Sequence, residues 1–284
     1  MKLILNIFLL ITYFGFSQSS KSELKFDTKY YDAVDKWIAF PKKETDTTYN
    51  FGFIYIDQQA GFTFDYNSNF EITNDGLKIL PRKFNGPLKS RLSKNTIDVA
   101  VLTEEQIAEL KLPKEPEWLI NYKKQSDTPG YLKNIGFHYN ANGASNLALE
   151  PLLKAYEIDP HFDGLEFELA FAYNHLGHFT DAIFVLEKAI ENNPKNYYFY
   201  RELGYSYLSL DKIDKAEETY RKGIKISDND YVKSEMSVNM AQAYFKLKDK
   251  KKFDEWAELT KKHSTKDTRY LQYIEQFEQN WNEK

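Results

Sequence analysis

The sequence predicts an α+β N-terminal domain followed by an all-α solenoid of helical hairpins that ends in a capping helix. Three observations carry this expectation. Residues 24–125 alternate apolar and polar side chains at period two. From residue 129 onward, small and aromatic residues recur every 34 positions. Residues 267–284 place Tyr270, Ile274, Phe277 and Trp281 on one stripe at helical spacing. The balance of 42% hydrophobic and 28% charged residues over 284 positions is that of a globular chain with room for two domains.

The first segment is expected to stand outside the fold. Met1-Lys2 is a minimal positive start, and Leu3 to Phe16 is an apolar run of 14 residues. A membrane-spanning helix needs about 20. Gly15 and Ser17, small residues one position apart, suit cleavage after Ser17. Phe16-Ser17-Gln18 resembles bacterial signal-peptide ends. Residues 1–17 are therefore expected to be a signal peptide. The mature chain would begin at Gln18, in the periplasm or secreted, with no membrane insertion after cleavage. The formal charge of −4 becomes −5 with the loss of Lys2. No basic face suggests nucleic acid as a partner. The run Lys248-Asp249-Lys250-Lys251-Lys252 reads as a solvated loop. The chain has no cysteine, which excludes disulfides, thiolate-bound zinc, thiol catalysis and a lipidated N-terminal cysteine.

The N-terminal domain is read element by element. Lys36–Phe40 is a strand candidate. Tyr49, Phe51, Phe53 and Tyr55 share one face, with Ile54 and Ile56 on the other. Gln58-Gln59-Ala60-Gly61 breaks the run, and Phe62, Phe64 and Tyr66 resume it as the second arm of a hairpin. Asn74-Asp75-Gly76 is a turn joining Phe70–Thr73 to Leu77–Leu80. Thr96–Leu102 is a further strand. Thr103 and Gln106 form a capping box for a helix over Glu104–Lys111. Pro113 and Pro116 close the domain, a helix is expected over Glu117–Lys124, and Gln125–Gly130 is a linker. Trp37 and Tyr66 look like exposed aromatics, which would suit a carbohydrate or small-ligand site or an enzyme in this domain.

The repeat follows. Gly136, Ala170 and Gly204 keep the 34-residue spacing, as do Tyr139, Tyr173 and Tyr207. So do Gly143, Gly177 and Asp211; Ala148, Ala182 and Ala216; and Leu152, Leu186 and Tyr220. Two antiparallel helices and two short turns fill one such period. Small residues are expected where the helices cross, and Tyr139 and Leu152 in the gap to the next hairpin. Pro160 and Pro194 end their units because proline cannot continue a helix. The pattern resembles the tetratricopeptide repeat (TPR) family over units 129–162, 163–196 and 197–230. A degenerate unit follows at 234–263. There Met240, Ala241 and Tyr244 lie 37 residues after Leu203, Gly204 and Tyr207, which implies three extra residues near 227–237. The turn at Lys248–Lys252 reads as longer than the family pattern, with Trp256 near the slot of the small alanine. A capping helix is expected over 267–284.

Motifs for chemistry are sparse. No H-E-x-x-H, nucleophile elbow, P-loop or dinucleotide fingerprint occurs. Asp228-Asn229-Asp230 lacks the rest of a calcium loop. No catalytic residue, metal or cofactor is expected. The resemblance implies a non-enzymatic scaffold that binds a protein or peptide partner on the concave face lined by the first helix of each hairpin. Carrying that geometry over gives Lys133, Phe137 and Asn140 from the first unit and Phe167, Phe171, Asn174 and His175 from the second. The third gives Tyr198, Arg201, Tyr205 and Leu208, and the fourth Val238, Gln242 and Phe245. Phe137, Glu168, Tyr198 and Glu202 stand where a clamp for a C-terminal carboxylate would need amide or basic side chains.

Overall fold

The computed structural model describes residues 23–82, 85–264 and 268–281. The expected signal peptide at 1–17 lies outside the described residues, as do positions 267 and 282–284 of the capping segment. The chain divides into two units. One holds the residues up to Tyr55, with Phe64–Ser90 and Thr96–Glu117; the other holds Ile56–Thr63, Arg91–Asn95 and Trp118–Lys284.

A strand-rich region comes first. The strands are β1 Lys36–Ala39, β2 Tyr49–Asp57, β3 Gly61–Thr73, β4 Gly76–Ile79, β5 Lys89–Arg91 and β6 Ala100–Val101. They form one sheet in the order β4-β3-β2-β1-β6, with β5 also on β3. β1 runs antiparallel to β2, pairing Trp37 with Phe53 and Ala39 with Phe51. Phe51 to Ile56 are all buried, so both faces of β2 are covered and the period-two alternation sorts residues between two apolar environments. Gly52 sits where any Cβ would overlap the Asp65 carbonyl oxygen. Trp37 is not exposed, contrary to its appearance in the sequence. Its side chain is buried against the Phe53 ring at 5.2 Å, and its indole nitrogen donates to the Pro113 carbonyl at 2.8 Å. Tyr66 is half-buried, with its hydroxyl donating to Asn69 Oδ1 at 2.7 Å. A polar tip satisfied within the domain lets an aromatic body serve as core.

Three local expectations need correction. The strand over Thr96–Leu102 is reduced to Ala100–Val101, extended only by a bridge between Thr28 and Val99. The first helix, α1, spans Glu104–Glu109 with its capping box formed; Lys111 beyond it has φ of 53°. Glu117–Asn121 is one turn of 3-10 helix instead of a helix reaching Lys124. Leu119 is its buried residue and Ile120 faces solvent, so too little apolar stripe exists to propagate it.

The second unit is a run of helices: α2 Pro129–Ala141, α3 Ser145–Ile158, α4 Leu165–His175, α5 Phe179–Asn192, α6 Tyr197–Ser209, α7 Ile213–Ile226, α8 Asp230–Leu247, α9 Lys250–His263 and α10 Arg269–Gln279. α2 to α9 form four consecutive hairpins. Each hairpin turns through one residue in the left-handed region: Gly143, Gly177, Asp211 and Lys248, with φ of 80°, 78°, 55° and 57°. A Cβ on Gly136 would overlap Leu152, and one on Gly204 would overlap the Tyr220 ring. Leu152 and Tyr220 therefore pack over the glycine of their own hairpin, besides meeting the next. Within this unit the tip of the β2–β3 hairpin, Ile56–Thr63, also meets α2: Phe62 packs edge-on to Tyr139 at 5.3 Å, and His138 Nε2 lies 2.9 Å from the Gln58 carbonyl oxygen.

The fourth hairpin explains its own irregular spacing. α8 has 18 residues where α6 has 13, so the extra residues form an added first turn of helix. Asn229 caps that turn by accepting from Val232 N at 3.2 Å. The following turn is not longer than the others, since Lys248 repeats Asp211 at the same 37-residue offset. The basic run is not a loop either. Asp249 is the N-cap of α9, accepting from Lys252 N at 3.0 Å, and Lys250 to Lys252 form the first helical turn. Phe253, not Trp256, occupies the alanine slot of Ala216, and Ala257 stands where Tyr220 does. Large and small have changed places across the crossing, and both are buried. α10 then covers the end of the stack, burying Tyr270 and Ile274, while Phe277 stacks on Phe245 at 4.9 Å and Trp281 meets Phe253 at 4.8 Å.

Candidate functional site

The first helices of the hairpins, α2, α4, α6 and α8, lie side by side and are tied together by a polar ladder. Asn140 Nδ2 donates to the Glu168 carbonyl and to Glu168 Oε2, both at 2.9 Å. One repeat on, Asn174 Nδ2 donates to the Glu202 carbonyl at 3.2 Å and to Glu202 Oε2 at 3.1 Å. Both asparagines are buried, so their amides join neighbouring repeats instead of facing a partner. Ser206 Oγ completes the second rung by donating to Asn174 Oδ1 at 2.7 Å. Burial pushes the Glu168 carboxyl up, against the Asn140 hydrogen bond and the nearby Lys133 charge.

Arg201 is the charged centre of this face. Its Nη2 and Nε donate to Glu202 Oε1 at 2.7 and 3.0 Å, and Glu235 lies 3.6 Å from Nη1. The guanidinium also lies over the Phe167 and Tyr198 rings, at 5.4 and 5.2 Å. Burial works to lower its pKa, but Glu202 and Glu235 outweigh that and hold it raised. Burial pushes Glu235 up, with Arg201 opposing.

Beside this cluster a cavity of about 430 Å³ opens, walled by α4, α6, α8 and α10. It brings together five of the residues expected from sequence: Phe171, Asn174, His175, Arg201 and Tyr205. Lys133, Phe137, Asn140, Phe167 and Tyr198 lie outside its lining. Phe167 and Tyr198 instead pack against the core of the stack, as does Leu208. Phe171 meets the Phe167 ring at 6.4 Å and Tyr205 the Phe179 ring at 6.1 Å; Tyr205 and Phe137 are each 45% exposed. His175 stacks on Phe171 at 6.2 Å, and its Nδ1 lies 3.0 Å from Ser145 Oγ. In the fourth repeat Val238 and Phe245 are core residues, because α10 packs over them.

The lining also holds Tyr231, Glu235, Asn239 and Arg269, which sequence reasoning missed, and Glu202, which it placed only as a departure from the carboxylate clamp. Glu202 was legible as the 34-residue repeat of Glu168. Tyr231 sits on the added turn of α8 and Arg269 on the capping helix, and neither has a counterpart in earlier repeats. Among the described residues no group of three His, Cys, Asp or Glu is placed to hold a metal ion, and no helix is long and apolar enough to cross a membrane.

Two models of the tetratricopeptide repeat match the chain, at residues 167–196 and 185–218. Residues 167–218 thus carry TPR repeats, at the centre of the helical run. Among solved structures, one of MamA is 25% identical over 57% of this chain and 87% of its own, with a TM-score of 0.44. A TPR protein of Thermus thermophilus is 20% identical over 57% of this chain and 86% of its own, with a TM-score of 0.46. PilF of Pseudomonas aeruginosa is 14% identical over 57% and 78%, also with a TM-score of 0.46. No curated protein matches.

Proposed function

We propose that this chain is a non-enzymatic scaffold whose stack of first helices binds a segment of a protein or peptide partner. The observation that carries the reading is the separation of the aromatic rings. Phe167 and Tyr198 pack against the buried core of the stack, whereas Phe171 and Tyr205 line an open cavity. Rings so placed hold apolar area available for a partner, and such rings tend to supply a disproportionate share of binding energy. The test is Phe171→Ala and Tyr205→Ala, each measured by thermal melting and by titration with peptides selected on the wild-type chain. Each variant is expected to keep its fold and to weaken binding by about 1 kcal/mol or more. Unfolding of both variants, or unchanged binding by both, refutes the reading.

The scaffold is further proposed to act outside the inner membrane, after export and removal of residues 1–17. The support is the 14-residue apolar run followed by Gly15 and Ser17. Mass spectrometry of the N-terminus from the native host is expected to find Gln18 first. A chain that retains Met1 in the membrane fraction overturns this proposal and leaves the binding reading intact.

A further inference from the structure

Two guanidinium groups line the cavity, and they are in different states. Arg201 is spent: it is paired with Glu202, lies near Glu235, and sits over two aromatic rings. Arg269 is exposed; it too lies over two rings, Tyr231 at 6.0 Å and Tyr270 at 5.1 Å, and its Nη2 donates to their hydroxyls at 2.8 and 3.2 Å. No carboxylate among the described residues forms an ion pair with it; Glu235, the acid it shares the cavity with, pairs with Arg201. A guanidinium carries five N–H donors in a planar fork suited to a carboxylate. The two tyrosine hydroxyls hold this fork through one of its nitrogens, Nη2.

We propose that the partner segment carries an aspartate or glutamate side chain that Arg269 receives, next to an apolar or aromatic residue that reaches Phe171 and Tyr205. The inference rests on the binding reading above and adds the chemistry of the partner. Charge complementarity selects the acid: Arg201 stands between Glu202 and Glu235, whereas Arg269 acts on Glu235 only through its field and is the lining guanidinium with no carboxylate at ion-pair distance among the described residues. A basic segment would meet the like charge of Arg269 at this wall of the cavity. The side chain of an internal residue is favoured over a terminal carboxylate by the donors on offer. A chain terminus held by several converging donors would find the Asn174 amide committed to Glu202 and that of Asn239 directed at Tyr220. The lining also draws on the first helices of three successive hairpins and on the capping helix, which suits a segment that continues past the anchor.

The test is a selection of random linear peptides displayed on phage against the purified chain, followed by titration of the enriched peptides as synthetic ligands. Enrichment of an acidic residue beside an aromatic or aliphatic one is expected. Affinity should fall about tenfold or more on Arg269→Gln, as loss of a charge-assisted hydrogen bond requires. Changing the peptide's acid to its amide should cause the same loss, with little further loss when both changes are combined. Arg269 is exposed, so the variant is expected to melt with the wild type, and Arg269→Lys should restore part of the affinity. Peptides that lose binding on Phe171→Ala but not on Arg269→Gln overturn this inference while leaving the groove reading in place. Enrichment of basic peptides, or dependence on a free C-terminal carboxylate alone, also overturns it. If no enriched peptide depends on Phe171 or Tyr205, both readings fall.

Discussion

Asn140 and Asn174 occupy the same slot of successive repeats, yet their side-chain oxygens fare differently. Asn174 Oδ1 accepts from Ser206, whereas Asn140 Oδ1 is buried without a hydrogen-bond partner among the described residues. The residue 34 positions before Ser206 is Ala172, a buried methyl where the other rung has a hydroxyl. Ala172→Ser is therefore expected to stabilise the chain by about 0.5–1.5 kcal/mol, since it satisfies an existing orphan instead of adding a new one. The hydroxyl can also return to the carbonyl one turn back, as Ser206 does to Glu202. The reciprocal Ser206→Ala should cost about 1–3 kcal/mol by stranding Asn174 Oδ1. Chemical denaturation of both variants checks the pair; a destabilised Ala172→Ser would mean that the first rung has no room for the oxygen. The recurrence of Asn140 with Asn174 and of Glu168 with Glu202 marks a shared environment. It does not by itself say whether an amide faces outward or spans to the next helix, because both uses place it on the same helical face.

Between elements, the joint of the third and fourth hairpins is held by Glu217 of α7. Its Oε1 accepts from Lys252 of α9 at 2.7 Å and from Arg221 at 2.6 Å, and its Oε2 accepts from the Tyr244 hydroxyl of α8. Burial pulls this carboxyl upward, but the Lys252, Tyr244 and Arg221 hydrogen bonds outweigh it and hold it down to about 2. A carboxyl depressed below its ordinary 4.5 adds stability that is complete above that value and is lost as pH falls toward 2. Glu217→Gln is expected to be less stable than wild type at neutral pH and to lose less stability between pH 5 and 2. Urea melts across that range measure both slopes; parallel slopes would show that Glu217 does not set the acid limb. The elements themselves were legible where a period dominated. The hairpin helices obeyed the 34-residue rule, whereas Glu117–Asn121, with one buried leucine, offered no period to read. The degenerate fourth unit misled in its turn, its basic run and its alanine slot. The exchange of Ala216 and Tyr220 for Phe253 and Ala257 hides a turn of ordinary length behind residues of unexpected size.

Over the whole molecule, sequence order and spatial grouping part company at the β2–β3 hairpin. A linear reading places a boundary near residue 125, yet Ile56–Thr63 and Arg91–Asn95 group with the helices. Nothing in the local pattern of Phe62 reveals that its ring meets Tyr139, because period two specifies a face and not what covers it. The helical unit, by contrast, is built from neighbours: each hairpin buries its apolar face against the next, and α10 covers the last. Stability in such a stack is a sum of repeat and interface contributions. Ile274→Asp places a charge at a fully buried position of the capping helix and is expected to cost about 3 kcal/mol or more. The loss should be graded along the chain. Amide hydrogen exchange is expected to show protection falling most in α8 and α9, less in α6 and α7, and least in α2 and α3. A uniform loss across all four hairpins would mean that the stack unfolds as one cooperative block, and that the capping helix supports α2 as directly as it supports α8.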